Sequence, residues 1–107
     1  MNLITQLFLT ILTLSFLSAC GPSDRAISLA EIDGVAADGK ALYDANCASC
    51  HGMTARGGSG PNLVKELAEH DEADMIEVIL TGDGSMPPYD SLEDQEIADI
   101  MAYIKSL

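Results

Sequence analysis

Two cysteines and a histidine stand together near the middle of this 107-residue chain, in the run Cys47-Ala48-Ser49-Cys50-His51. The C-x-x-C-H spacing brings two thiols onto one turn of backbone, where both can form thioether bonds to the vinyl groups of one porphyrin. The imidazole that follows can then bind the iron from one face of the same ring. The pattern predicts one covalently attached haem c, held by Cys47 and Cys50, with His51 as an axial ligand of the iron.

Two other kinds of site are built on C-x-x-C pairs. A dithiol redox motif is typical of a βαβ context, which the flanking residues do not offer. A structural zinc site needs a second Cys/His pair, but His70 is the only other histidine and Cys20 is the only other cysteine. The sequence therefore favours haem attachment.

The N-terminal stretch 3–17 is mainly apolar and leads into the run LSACG at positions 17–21. This run resembles a lipobox, the motif at which bacterial lipoproteins are cleaved before a cysteine that becomes lipidated. We expect residues 1–19 to be a lipoprotein signal peptide and Cys20 to carry the lipid. An uncleaved membrane anchor is the alternative, although the stretch is short for a spanning helix. Both alternatives place the protein on the periplasmic or cell-surface side of a bacterial membrane.

The chain is strongly acidic, with 17 Asp and Glu against 5 Lys and Arg and a formal net charge of −12. The acidic residues crowd the segments 66–77 and 90–99. A surface of this sign disfavours a nucleic-acid partner. A solvated acidic surface that only maintains solubility explains part of the bias, and docking to redox proteins with basic surfaces is the functional interpretation.

The remaining sequence predicts a flexible tether at residues 20–35 and one all-α domain at residues 36–107. Helical patterns and capping residues predict four helices: 36–46, 63–69, 72–80 with Asp71 as N-cap, and a last helix with Ser91 as N-cap and Asp94 in the capping-box position. A domain of about 70 residues is small for a hydrophobic core without a covalent staple, and a bound haem supplies one.

With these helices in place, residues 36–107 resemble the class I cytochrome c family, specifically its small bacterial monohaem members. Gly39 lies eight residues before the first haem cysteine and Tyr43 four before it, as in the N-terminal helix of the family, and residues 99–105 look like its C-terminal helix. The resemblance implies a cytochrome c fold of four to five short helices around the haem. It also implies that the terminal helices cross closely at a glycine, since a Cβ would hold the backbones apart.

The resemblance carries over to the surroundings of the haem. Residues 60–63 are similar to the segment whose proline carbonyl accepts the Nδ1 proton of the haem histidine, which assigns that role to Pro61 and would orient His51. The chain has no Trp, so the indole that contacts a haem propionate in larger members is missing. Arg56 and Tyr89 are the candidates for this contact here.

The sixth position of the iron has five candidate ligands: Met53, His70, Met75, Met86 and Met101. Met53 is too close to His51 to reach the other face of the haem, and Met75 and Met101 fall on apolar helix stripes that favour core packing. Met86 stands in a helix-free segment rich in glycine and followed by two prolines, and the family places its axial methionine in such a Met-Pro segment. We therefore expect Met86 as the sixth ligand, with His70 as the alternative.

A His51/Met86 pair leaves no iron site for a substrate. The prediction is a membrane-tethered electron carrier, not an enzyme, that shuttles single electrons between respiratory-type redox partners and has no small-molecule substrate. The first alternative is a haem enzyme or sensor, such as a peroxidase or gas-binding protein, with a vacant or labile sixth position. The second is an electron-entry subunit of a larger oxidoreductase complex.

Overall fold

The computed structural model describes residues 21–107, and this part of the chain consists of helices and loops without a β-strand. The six helices are α1 (Asp24–Ala30), α2 (Ala36–Asn46), α3 (Ala48–His51), α4 (Leu63–Glu69), α5 (Glu72–Thr81) and α6 (Asp94–Lys105). The all-α prediction is confirmed. The signal peptide and the lipidated Cys20 that the sequence predicts lie outside the described residues. Within residues 21–107, no helix combines the length and the apolar composition needed to cross a bilayer.

Helix α1 occupies a segment for which the sequence analysis predicts a flexible tether. The Ser23 side chain caps it by accepting a 3.2 Å hydrogen bond from the Ala26 backbone N–H. Ala26 and Leu29, three residues apart on one face, are fully buried in the core. The tether prediction is wrong for this helix, because so short a helix gains its stability from tertiary packing, which the local sequence does not reveal.

Helices α2 and α6 form the most extensive helix pair and cross at close distance. A Cβ added at Gly39 would lie 1.8 Å from the backbone oxygen of Asp99, and one added at Gly34 would lie 2.1 Å from that of Ala98. The Asp99 carboxylate also accepts a 2.8 Å hydrogen bond from the backbone N–H of Val35, the residue that precedes α2. A side chain of α6 thus caps the start of α2, and two glycines allow the backbones to meet.

Helix α6 begins two residues later than the sequence predicts. Glu93, not Ser91, is its N-cap, and the Glu96 carboxylate accepts a 2.9 Å hydrogen bond from the Glu93 N–H in a capping box. Ser91 instead lies in a turn in which the Leu92 N–H bonds the Tyr89 carbonyl. The Glu93 carboxylate accepts in turn from the Glu96 N–H, so two carboxylates spaced by three residues satisfy free N–H groups at the start of the helix.

The predicted bounds of the other helices agree closely with the structure. Helix α2 and helix α4 have the predicted residues. Helix α5 begins after Asp71, as predicted, and ends at Thr81, one residue later than predicted, before Gly82, whose φ is 76°. The sequence predicts an apolar stripe on α6 at Ile97, Ile100, Met101, Ile104 and Leu107. The first four residues are buried, whereas Leu107 follows the end of the helix and is 38% exposed. These helices enclose a cavity beside the C-x-x-C-H motif.

Candidate haem site

The cavity beside the motif has a volume of about 500 Å³. Cys47, Cys50 and His51 contribute to its wall, as do Met86 and Tyr89 from the segment before α6. Helices α4, α5 and α6 supply an apolar lining: Leu63, Met75, Val78, Ile79, Ile100, Met101 and Ile104. Volume and lining are typical of a site for an apolar cofactor, and the thiols and the imidazole are the groups that attach and ligate a haem.

His51 is oriented by the bond that the family resemblance implies. It ends the single-turn helix α3, is 7% exposed, and places Nδ1 3.0 Å from the Pro61 carbonyl oxygen. Because a carbonyl can only accept, Nδ1 carries the proton and the Nε2 lone pair is free for iron. A Cβ at Gly60 would lie 2.8 Å from Cε1 of this ring, so a side chain there would displace the histidine.

The loop between α3 and α4 holds the Pro61 carbonyl in place through backbone bonds to the haem motif. The Gly57 N–H donates to the His51 carbonyl at 2.8 Å, and the Gly60 N–H donates to the Cys50 carbonyl at 2.7 Å. Gly52 begins the loop with a φ of 85°, a backbone conformation that favours glycine. The glycines of this loop therefore allow the chain to fold back on the haem motif.

The two thiols of the motif are not joined in a disulfide. Burial, with a smaller contribution from Cys50, raises the pKa of the Cys47 thiol to about 11. A thiol whose pKa is raised in this way is a poor nucleophile near neutral pH, since the thiolate is the nucleophile. The environment of Cys47 therefore does not favour a reactive thiol at this position.

Four of the five candidate sixth ligands line the cavity: His70, Met75, Met86 and Met101. Met53 is 63% exposed and is not among the lining residues. Met86 ends a tight turn in which it exchanges two backbone hydrogen bonds with Asp83, of 2.9 and 3.1 Å. His70 is exposed, and its Nε2 lies 3.1 Å from a carboxylate oxygen of Glu66.

The two candidates for a propionate contact occupy different places. Arg56 is exposed and does not line the cavity. Tyr89 lines it, but its hydroxyl donates a 2.9 Å hydrogen bond to the Asn46 carbonyl. This geometry supports the propionate role for neither residue, because one side chain lies elsewhere and the proton of the other is already engaged.

Sequence reasoning did not identify the acidic residues of the cavity wall. They are Glu66, Asp74 and Asp83, and no Lys or Arg is among the lining residues. Their sequence signal is only the acidic character of the segments around them. Their common location depends on three elements, α4, α5 and the turn before Met86, that are brought together by the fold.

An all-α fold with closely crossing terminal helices, two thiols on one turn and a histidine with a free Nε2 beside an apolar cavity defines the class I c-type cytochromes. Comparison with known proteins gives a match over residues 34–104 to the family described as cytochrome c oxidase, cbb3-type, subunit III. The chain belongs to this family of c-type cytochromes. It is an electron carrier with a covalently bound haem c, for which Cys47, Cys50 and His51 supply the C-x-x-C-H motif, and its partners are redox proteins.

Individual relatives agree with this assignment. Cytochrome c-551 of Bacillus subtilis (strain 168) is 33% identical over 92 residues, which cover 82% of this chain and 81% of that protein. A cytochrome c-553-like protein of Synechocystis is 34% identical over 76 residues, 71% of this chain and 72% of that protein. The solved structure of cytochrome cL from Hyphomicrobium denitrificans matches 78% of this chain with a TM-score of 0.60 and 26% identity. This chain spans about half of that structure, 51% of its length.

Proposed function

We propose that this protein is a lipid-anchored, extracytoplasmic carrier that passes single electrons between respiratory-type redox proteins, with its haem iron ligated by His51 and Met86. The main support for the proposal is that His51, whose Nε2 is free to bind iron, and Met86 line the same cavity. The family description, which names a subunit of a respiratory oxidase, supports the respiratory setting.

Among the four candidate ligands that line the cavity, the surroundings favour Met86 as the sixth ligand of the iron. Met101 is fully buried in the core on α6, and Met75 packs against this core from α5, so both side chains take part in helix packing as well as in the cavity lining. The ring of His70 faces the carboxylate of Glu66 instead. Met86 belongs to no helix, and its backbone bonds to Asp83 hold it at the cavity wall. A thioether at the sixth position closes the iron to substrates and favours the ferrous state.

Replacement of Met86 by alanine tests the ligation. We expect the ferric variant to lose the weak red absorption band of sulfur-to-iron charge transfer and the ferrous variant to bind carbon monoxide readily. The reduction potential should fall by on the order of 0.1 V, because the ligand that favoured ferrous iron is lost. Absorption spectra and redox titration measure these effects.

The matched controls are Met75→Leu and Met101→Leu, which remove a sulfur at nearly constant side-chain volume and should keep the band. His70→Ala tests the bis-histidine alternative and should also keep it. Ready binding of carbon monoxide by the wild-type protein, with no such band in its ferric form, would contradict the proposal and favour an enzyme or sensor.

The proposed partners present basic docking surfaces, because the cavity wall carries Glu66, Asp74 and Asp83 and no Lys or Arg. Electron transfer with a diffusing partner should therefore slow as salt rises, since at ~0.15 M ionic strength charges separated by more than about 8 Å are already screened. Stopped-flow rates at increasing ionic strength measure this dependence. A rate that is flat or rises with salt would indicate an apolar interface. It would also be expected if the protein is a permanent subunit of a larger oxidoreductase complex, the second candidate, which the family description supports.

Cys20 is the proposed site of the lipid anchor. Cys20→Ser should leave an unprocessed precursor without lipid, because processing and lipidation both require that cysteine. Gel mobility and mass spectrometry of the membrane fraction measure this outcome, and Ser18→Ala, which keeps the cysteine, is the control. If globomycin, an inhibitor of lipoprotein processing, leaves the mobility of the wild-type protein unchanged, the anchor is not of this kind.

A further inference from the structure

We propose that α1 fixes the orientation of the domain on its membrane anchor, so that the haem cavity faces away from the bilayer. The inference rests on the lipidation of Cys20 proposed above. It concerns a segment, residues 21–30, that the sequence analysis assigns to a flexible tether and that the electron-transfer site does not use.

Polar contacts attach the N-terminal end of α1 to the domain. The backbone N–H and the hydroxyl of Ser23 both donate to Oε2 of Glu77, at 3.0 and 2.5 Å, and these bonds lower the pKa of Glu77. The guanidinium of Arg25 donates twice to Oδ1 of Asp94, at 3.1 and 2.8 Å, and once to the Asp90 carbonyl at 3.2 Å. With two side chains of α1 fully buried, residues from Ser23 onward move with the domain.

The chain between the proposed lipid and this attachment is very short. Only Gly21 and Pro22 separate Cys20 from Ser23. Three Cα–Cα steps of 3.8 Å span at most about 11 Å, and the ring of Pro22 restricts the backbone further. A lipid on Cys20 therefore holds the start of α1 beside the headgroups and leaves the domain little freedom to turn.

Helix α5 separates this attachment from the cavity. Four residues of α5 line the cavity, Asp74, Met75, Val78 and Ile79, and Glu77 is not among the lining residues. At about 100° per residue, Glu77 lies about 130° around the helix axis from the centre of this lining face. The bond from Ser23 to Glu77 therefore attaches α1 to a side of α5 that is turned away from the cavity. Much of the width of the helix, which is about 10 Å in diameter, then lies between the anchor and the cavity.

The proposed orientation makes the haem cavity accessible to redox partners. The anchor holds the acidic cavity wall on the aqueous side of the domain, where basic surfaces of membrane-bound or soluble partners can reach it. A domain on a long tether would have to find this orientation by rotation at every encounter.

Coupling of single cysteines to lipid headgroups tests the orientation. In the mature haem-loaded protein Cys20 carries the lipid and Cys47 and Cys50 carry the haem, so an introduced cysteine is the only free thiol. Asp24→Cys reports on the start of α1, and Ser59→Cys reports on the cavity wall; both positions are exposed. The lipidated full-length protein is placed in vesicles that contain maleimide-headgroup lipids, and the rate at which the introduced thiol couples to the lipid is measured. For each variant this rate is divided by the rate of its reaction with soluble maleimide, which corrects for differences in thiol reactivity.

If the short tether cannot bring the Ser59→Cys thiol to the headgroups, the effective concentration of maleimide at that thiol is negligible. We therefore expect the Asp24→Cys thiol to couple to the lipid at least about tenfold faster than the Ser59→Cys thiol. Eight Gly and Ser residues inserted between Gly21 and Pro22 add an r.m.s. reach of roughly 16 Å and should bring the ratio close to one. The same eight residues appended after Leu107 are the control and should leave the ratio unchanged.

Equal coupling at the two positions in the protein of natural tether length would overturn the inference. Mass spectrometry of the same samples separates the two proposals. If Cys20 carries lipid and the coupling rates are equal, the proposed orientation is wrong and the proposed lipid anchor is correct. If Cys20 carries no lipid, the proposed anchor fails and the orientation fails with it.

Discussion

A protein without covalent haem is the expected product when Cys47 and Cys50 are both replaced by alanine. Thioether bonds to these two sulfurs are the attachment that the C-x-x-C-H motif supplies. We also expect the variant to lose most of its helical structure. An empty cavity of about 500 Å³ with an apolar lining is a large defect in so small a domain, whose hydrophobic core is stabilised by the haem.

Haem-dependent peroxidase staining of denaturing gels and acid-acetone extraction measure the attachment, and far-ultraviolet circular dichroism measures the helix content. Ser49→Ala is the matched control, since Ser49 lies between the two cysteines, is exposed, and should not affect attachment. Haem that survives acid-acetone extraction of the double variant, or a stoichiometric zinc ion in the wild-type protein instead of haem, would contradict the assignment of the motif.

Gly39→Ala should destabilise the haem-loaded protein by about 2 kcal/mol or more, a loss of about 10 °C or more in Tm. The added Cβ would lie 1.8 Å from the Asp99 carbonyl oxygen and 2.3 Å from its carbon, and both are backbone atoms that cannot rotate away. Helices α2 and α6 must separate to admit it. Alanine gains about 1 kcal/mol over glycine in a helix interior, and this gain is too small to offset the lost packing.

Thermal unfolding followed by circular dichroism measures the loss. Gly21→Ala is the matched control, because nothing lies within 4 Å of a Cβ added there. Gly34→Ala should behave like Gly39→Ala, since its Cβ would lie 2.1 Å from the Ala98 carbonyl oxygen in the same crossing. A Gly39→Ala protein as stable as the control would mean that the two helices do not meet at this glycine.

The sequence alone determined the features that depend on short spacings along the chain. The haem motif is a run of five residues, and the resemblance to class I cytochromes c assigns roles to Gly39 and Pro61. The structure places Gly39 at a backbone crossing and the Pro61 carbonyl 3.0 Å from Nδ1 of His51. The bounds of α2, α4 and α5 were also predictable, because caps and apolar periodicity are local signals.

Only the tertiary structure decided the features that depend on partners distant in sequence. Helix α1 forms because Ala26 and Leu29 are buried against the rest of the domain, and the contacts of Ser23 with Glu77 and of Arg25 with Asp94 join residues 54 and 69 positions apart. The hydroxyl of Tyr89 is engaged by Asn46, 43 residues away, so a propionate role inferred from residue type alone has no support. The charges of the cavity wall likewise come from separate elements. Local sequence encodes how a segment can fold, whereas the energy that selects one conformation comes from surfaces buried against the rest of the chain.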